Sequence, residues 1–516
     1  MMLLRMLNPC REAPITRHHM SICVSHVAGD ISSCFVFHMT RPYFSGLVLL
    51  LVLTCSAFGT DKPKITFDEV FNSVDFTAVQ ISPDGNFVVI ATERADWDRE
   101  IYQTDLWLYR DDVHGGSLTQ LTQSGHDSVP RWSPDGRWIA FLSEREPPSG
   151  KGREGDENGK DDKAVAQIYL ISPNGGETFP ITSGDEAVHT FNWSPDSKTI
   201  YFATRTPRNK DQKDAYKKLW KDAVQYRGAE RGDVIFGLDL NDALQRHAAV
   251  GTKETPDAEK DENSTPGARV IASTPWRVQR LETSPDSRRL AFVTTSVSQR
   301  EEKLDEFEIY SVDLTHASPA EPRRLTHNQA LEQDLTWTKD SRHIYFLVDY
   351  GSTEGPYQDN QRRLYWIDAD TGEGQRWADE FEGAVIRYAE LPDGRALATG
   401  RLGTEVQLYT QENPKSVFAK QPGWAGTYEM ASPAKSSQRL AFAYSSFDRP
   451  TEVYLGDAPD KLDQPAPSPR STSSLQSATS RVAKPTAGSR KMARPSKAYS
   501  CTHPASSKPR TCRCSP

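Results

Sequence analysis

The 516-residue chain predicts an all-β fold: a seven-bladed β-propeller of four-stranded blades, with one helical insertion and disordered ends. Three observations carry this expectation. A Ser-Pro-Asp-Gly/Ser turn recurs along the middle of the chain. Each copy is followed by an apolar strand and then by a second one. A short segment before each turn and another at the close of several units bring the count to four strands. A repeat of roughly 40–60 residues with four strands is what a propeller blade requires.

The turn begins at Ser82, Ser133, Ser194 and Ser284, with degenerate copies at Thr338, Leu391 and Ser432. The intervals are 51, 61, 90, 54, 53 and 41 residues. Its chemistry suits a hairpin between the first and second strands of a unit. Proline at the second position presets φ, aspartate can bond the backbone ahead, and glycine suits the last position. The strand after each turn reads FVVIAT, WIAFLS, TIYFAT, RLAFVT, HIYFLV, RALATG and RLAFAY in chain order. The next reads DLWLY, QIYLIS, DVIFGLDL, EIYSVDL, RLYWID, VQLYT and EVYLG. Several units then close with SLTQLT, TFPIT, PRRLT or SVFAK. Trp132, Trp193 and Trp337 stand at equivalent positions before their turns, which points to packing between blades rather than to a ligand.

Insertions explain the two long intervals. PPSGKGREGDENGKDDK in the second unit is a solvated loop. In the third unit, Asp211–Gln225 places Tyr216, Leu219, Trp220, Ala223 and Val224 on one helical face, predicting a helix packed on a rim or on another domain. A charged stretch, Thr252–Gly267, is expected to lack structure. The last unit ends at Leu455, so an outer strand is expected after Pro465. Its absence would leave an unpaired edge.

Charge divides the chain into the same parts. Residues 1–59 carry +2, residues 466–516 carry +10 with no acid, and the body, 60–465, carries −20. An acidic body argues against nucleic acid, whose backbone selects basic surfaces. All seven cysteines (Cys10, Cys23, Cys34, Cys55, Cys501, Cys512, Cys514) lie in the two ends, which excludes a disulfide framework in the body. From Met39, the stretch MTRPYFSGLVLLLVLTCSAFG has the anatomy of a secretory signal peptide, and its apolar run is too short for a stable membrane span. Met39 is therefore read as the true start, against the alternative of a genuine N-terminal extension. Secretion or a periplasmic location follows. Thr54 before Cys55 fits lipid attachment poorly. The tail from Ala466 lacks Asp, Glu, Ile, Phe and Trp and cannot bury a core. It reads as disordered, and its abrupt start as out-of-frame translation. Cys501, His503, Cys512 and Cys514 have no core to organise them as a metal site.

The body shows no catalytic, cofactor-binding or metal-binding signature. G-x-S-x-G, H-E-x-x-H, C-x-x-C, Walker and dinucleotide fingerprints are all missing. His126 and His189 precede equivalent first strands and read as blade-edge residues. Asp185-Glu186 and Glu301-Glu302 could hold a cation but read more simply as solvated surface.

The secretory start, the S-P-D-G/S blades and the segment LWKDAVQYRGAERGDVIFGLDL together resemble the propeller of the prolyl oligopeptidase family, in its dipeptidyl-peptidase and acylaminoacyl-peptidase branch. The resemblance covers residues 64–464. It implies a propeller that filters peptide access to an α/β-hydrolase domain bearing a Ser–Asp–His triad. That domain should begin near residue 470, where the basic tail stands, so no triad residue has a counterpart here. The expectation is a substrate-gating propeller of a secreted serine peptidase for short peptides, truncated and inactive alone. Peptides are its implied partners, no cofactor is implied, and a homo-oligomer is compatible. The competing expectation is a free-standing TolB-like periplasmic propeller serving as a protein-binding scaffold.

Overall fold

A computed structural model describes residues 67, 71 and 73–462, except 112–115, 146–163, 221–229, 250–264, 299–302, 317–318, 352–360, 378–379, 414–415 and 448. The expectations for the signal segment, the basic tail and Glu301-Glu302 fall outside the described residues.

Twenty-seven strands are described, and they run in groups along the chain. The first group is β1 (Val74–Ile81), β2 (Phe87–Asp96), β3 (Ile101–Arg110) and β4 (Ser117–Gln120). The second is β5 (Asp127–Trp132), β6 (Ile139–Ser143), β7 (Gln167–Ile171) and β8 (Phe179–Pro180). The third is β9 (Val188–Trp193), β10 (Thr199–Arg205), β11 (Asp233–Asp239) and β12 (Arg269–Thr274). The fourth is β13 (Arg277–Thr283), β14 (Arg289–Thr295), β15 (Ile309–Asp313) and β16 (Arg323–Arg324). The fifth is β17 (Ala330–Trp337), β18 (His343–Gly351), β19 (Arg363–Asp368) and β20 (Gly374–Arg376). Each of these five is a four-stranded meander. The remaining strands form one seven-stranded sheet: β21 (Ala384–Glu390), β22 (Ala396–Leu402), β23 (Glu405–Gln411), β24 (Ala419–Lys420), β25 (Thr427–Pro433), β26 (Leu440–Ser446) and β27 (Arg449–Gly456). A single parallel bridge, Val406 to Thr427, joins its two parts, whose other ladders are antiparallel.

The sheets stack face to face as a propeller. Apolar clusters bridge each group to the next: Leu106 and Leu108 with Phe141, Leu170 with Phe202, Ile271 with Phe292, Ala291 with Phe346, and Leu364 with Ala398; Leu408 with Phe442 joins the two parts of the seven-stranded sheet. One cluster joins Ala441, Ala443 and Val453 back to Val79, Val88 and Ile90, so the last strands pack on the first. Backbone bonds reinforce that seam, since the Lys435 and Ser436 amides donate to the Pro83 carbonyl at 3.1 and 3.0 Å. Trp132, Trp193 and Trp337 pack between sheets as their recurrence predicts. Each Nε1 donates to a carbonyl two residues before the preceding turn, on Gln80, Arg131 and Glu282.

The repeated turn links first and second strands in every group, and its serine is structural. Ser133 Oγ donates to Asp135 Oδ1 at 2.6 Å and accepts from the Trp138 amide at 3.0 Å. Ser82, Ser194 and Ser284 repeat this arrangement with donor distances of 2.5, 2.6 and 2.6 Å. Burial alone would raise the Asp84, Asp196 and Asp286 carboxyls, but hydrogen bonds from these serines and from amides ahead hold them below the ordinary range. The fourth turn residue has φ of +84° at Gly85 and +71° at Gly136, the left-handed region that glycine enters freely. Ser197 and Ser341 accept the same geometry and use their hydroxyls to bind the Asp135 and Asp286 amides of the preceding turn, each at 3.0 Å. Ser133→Ala should therefore lower stability by about 1–2 kcal/mol, because it strips a buried amide of its acceptor. Urea unfolding would show this as a lower midpoint at unchanged slope; an unmoved midpoint would contradict it.

Three expectations need correction. The last turn begins at Ala434 rather than Ser432: the Ala434 amide closes it on the Arg439 carbonyl at 2.8 Å, and Ser432 is still in β25, where its hydroxyl accepts from the Ile81 amide. The insertion helix α1 spans Lys210–Trp220, started by a reciprocal cap between Asn209 and Gln212 at 2.8 and 3.0 Å. Leu219 on it is 76 % exposed and not on a packed face, while Ala223 and Val224 lie outside the described residues. A second helix, α2 (Leu240–Ala249), was not expected. Leu240 and Ala243 bury against the second and third sheets, Leu244 packs beside them, and His247 stacks on Phe179 at 4.0 Å. No helix among the described residues is long and apolar enough to cross a membrane.

Candidate functional site

The meander topology gives the propeller two distinct faces. All first strands begin on one face, called here the start face, and end on the turn face at the repeated hairpins. Second strands return to the start face, so the connections between second and third strands, including the one bearing α1, lie there. Two polar constellations follow from this layout.

The first lies around the axis, on the first strands. Arg131 comes from β5, Arg280 and Glu282 from β13, Asp334 from β17 and Tyr388 from β21. Their strands belong to the second, fourth, fifth and sixth groups, so they meet across the axis. Arg280 pairs with Asp334, whose φ of +59° marks a bulge in β17 that turns it inward. The Tyr388 hydroxyl donates to the Tyr345 carbonyl at 2.6 Å and lies 3.0 Å from the Asp334 carbonyl. Burial and the neighbouring Arg280 push the Arg131 guanidinium down to about 10, against the pull of Glu282 and Asp334. Burial raises Glu282, opposed by Arg280, Lys435 and Arg131. Arg131 Nε, Arg280 Nε and one Glu282 oxygen are buried without hydrogen-bond partners. The belt is thus tightly charged and incompletely satisfied. On the turn face, a depression of about 370 Å³ opens beside Pro83, Phe87, Pro134, Lys435 and Ser436.

The second constellation lies on the start face where the third and fourth groups meet. Arg205 ends β10 and pairs across the ladder with Asp233, which begins β11. Asp233 Oδ2 accepts from the Val278 amide of β13 at 2.7 Å and stands 2.7 Å from His189 Nε2 of β9. Arg231 donates to Glu186 at 2.6 Å, and Arg208 lies over the Tyr216 ring of α1 at 4.7 Å. Arg277 opens β13. Burial raises Glu186, and Arg231, Arg205 and Arg208 oppose that rise.

These placements revise the sequence reading residue by residue. His126 is exposed, and its backbone bridges Thr104, donates to Ser124 Oγ at 3.2 Å and accepts from the Glu144 amide at 3.3 Å, as an edge residue should. His189 stands on its first strand but is engaged by a buried carboxylate. Glu186 is ion-paired to arginine rather than presented to a cation, while its neighbour Asp185 is exposed. Sequence reasoning missed both constellations, because their members are scattered singly over the first strands and strand ends. Among the described residues, no group of three or more His, Cys, Asp or Glu side chains could hold a metal ion.

Comparison with known proteins places the fold. No family model matches the chain. A curated relative, the uncharacterized peptidase YuxL of Bacillus subtilis, is 29% identical over 178 residues, which is 33% of this chain and 24% of the relative. The acylaminoacyl peptidase of Pyrococcus horikoshii superposes with a TM-score of 0.52 at 15% identity, covering 77% of this chain and 54% of that one. A Mycobacterium tuberculosis puromycin-hydrolyzing peptidase gives 0.53 at 12% identity, covering 78% and 55%. The chain spans about half the length of these solved structures and about a quarter of the curated relative. The similarities agree with the resemblance to the propeller portion of prolyl oligopeptidase-type peptidases.

Proposed function

We propose that this chain is the propeller portion of a secreted serine peptidase of the prolyl oligopeptidase family, where it screens short peptides for a separate catalytic domain. The observation that carries the reading is the superposition of more than three quarters of the chain on about half of each of two peptidases. The propeller is seven-bladed, the seven-stranded sheet counting as two blades: β21–β24 and the three-stranded β25–β27. Support comes from the apolar seam that brings β26 and β27 back onto β1 and β2. A fourth strand of the last blade, running from the turn face back to the start face, would deliver the chain to the face where β1 begins. There a catalytic domain would cover the start-face constellation and the mouth of the axial belt.

On this reading the chain alone carries no triad and turns over no peptide. Purified 516-residue protein should leave acetyl-alanyl p-nitroanilide and Ala-Pro p-nitroanilide unhydrolysed, and turnover above background would refute inactivity. The DNA following codon 465, read in its three forward frames, should encode an α/β-hydrolase with G-x-S-x-G. A downstream sequence with no such frame would overturn the peptidase reading in favour of a free-standing scaffold.

A further inference from the structure

We propose that the arginine constellation on the start face is a binding site for a carboxylate, carried by a short peptide. The inference rests on the peptide-screening function proposed above and adds the chemistry of what is screened.

The argument starts from which charges are already committed. Asp233 is fully buried; its Oδ2 accepts from the Val278 amide and stands 2.7 Å from His189 Nε2, while its Oδ1 has no hydrogen-bond partner and faces the same cluster only as an unshared charge. Glu186 is held by Arg231. Asp185 and Glu230 flank the cluster and have interactions of their own. Arg208 rests on the Tyr216 ring. That leaves Arg205 and Arg277, whose backbones sit in their ladders but whose guanidinium groups make no hydrogen bond or ion pair among the described residues. They are nevertheless close enough to disturb each other: burial and Arg205 depress the Arg277 guanidinium, and Asp233 only partly offsets them. Arg205 also weighs on Arg231 beside it, whose Nε is buried without a partner.

Holding like charges together in a partly buried place is costly unless an anion completes the set. The guanidinium fork matches a carboxylate in plane and can bind it through two parallel hydrogen bonds, each charge-assisted. A free ammonium has the wrong sign for this site, so a peptide N-terminus is not its ligand. The site is also well placed. Arg205, Arg231 and Arg277 stand at strand ends on the start face, and α1 belongs to the connection between Arg205 and Arg231. A peptide lying across this face would meet the arginines before reaching the axial belt.

The test uses the full chain and three probes of equal length in isothermal titration calorimetry: acetyl-trialanine as the free acid, its C-terminal amide, and acetyl-Ala-Asp-Ala-amide. The expected result is that the free acid binds at least tenfold more tightly than the amide, and that Arg277→Gln and Arg205→Gln each remove most of this preference. Arg277→Lys should restore it in part, since charge without the fork keeps only part of the interaction. If the aspartyl amide binds as well as the free acid, the carboxylate is taken from a side chain; if only the free acid binds, it is the C-terminus. Equal binding of acid and amide, or an acid preference untouched in both glutamine variants, would overturn the carboxylate site and leave peptide screening standing. Failure of all three probes to bind would overturn the site and count against peptide screening too. Thermal unfolding of each variant within a few degrees of the parent confirms that the loss is at the site.

Discussion

Phe346→Ala is expected to destabilise the protein by about 3–5 kcal/mol, the usual range for removing a buried phenylalanine ring. The ring is fully buried in β18 and packs between the fourth and fifth sheets with Ala291, Val293, Ile309 and Trp337. It stacks on Tyr365 with centroids 5.8 Å apart. The position belongs to the repeat: eight residues past the turn's first residue stand Ile90, Phe141, Phe202, Phe292, Phe346 and Phe442. Phe141, Phe202, Phe292 and Phe346 each lie in the cluster that binds their sheet to the preceding one, Phe442 joins the two parts of the seven-stranded sheet, and Ile90 binds the first sheet to the last. These side chains are therefore the seams of the propeller, and sheets tilted away from close-packed neighbours cannot collapse onto the void. Urea unfolding followed by tryptophan fluorescence should show a lowered midpoint. A loss below about 1 kcal/mol would mean that the seam repacks, contrary to a rigid stack.

The same offset explains what could and could not be read from sequence. Turn chemistry is local. Aspartate and a left-handed glycine or serine stand at the third and fourth positions of six turns, four of which open on serine, so these six are visible as strings. Ser432 misled because Ser-Pro imitates the motif's opening, whereas the hairpin is closed by the Ala434–Arg439 pair, which carries no turn-specific residue types. Counting eight from Ala434 reaches Phe442; counting from Ser432 reaches Leu440. The α2 helix was hidden for another reason. Its four inward residues, Leu240, Ala243, Leu244 and His247, follow directly on a strand and read as its polar end. Neither charged constellation has a local signature. Arg205, Arg231 and Arg277 become neighbours only because strands of seven residues return their ends to one face, and no residue spacing encodes that.

Glu332→Gln should flatten the fall of stability with rising pH and leave the variant more stable than the parent at pH 8. Glu332 is fully buried at the start of β17. Its Oε2 accepts from Thr326 Oγ1 at 2.7 Å, and its other oxygen accepts from Asn328 Nδ2. Burial pushes its carboxyl well above the ordinary 4.5, the neighbouring Glu308 pushes it further, and Thr326, Asn328 and Arg324 only partly oppose this. Glu308 is itself buried and takes the Arg324 guanidinium at 2.6 Å and the Asn328 amide at 3.2 Å. Glu306, paired with Lys303 at 2.8 Å, completes the acidic group before β15. The sign follows from proton binding. Above pH 4.5 the unfolded chain has released the Glu332 proton while the folded protein retains it, so folding takes up a proton and stability falls as pH rises. Each pH unit between the two ionisations costs about 1.4 kcal/mol, and the loss ends once the folded group has ionised. Glutamine keeps the size and one acceptor, and it has no proton to lose. The turn aspartates, held below their ordinary range, contribute the opposite slope at acid pH, but they are common to both proteins and cancel in the difference. Unfolding free energies measured from pH 4.5 to pH 8 should therefore diverge steadily, with the variant gaining. Parallel curves would mean that Glu332 stays ionised in the fold, with Arg324 and Asn328 outweighing its burial.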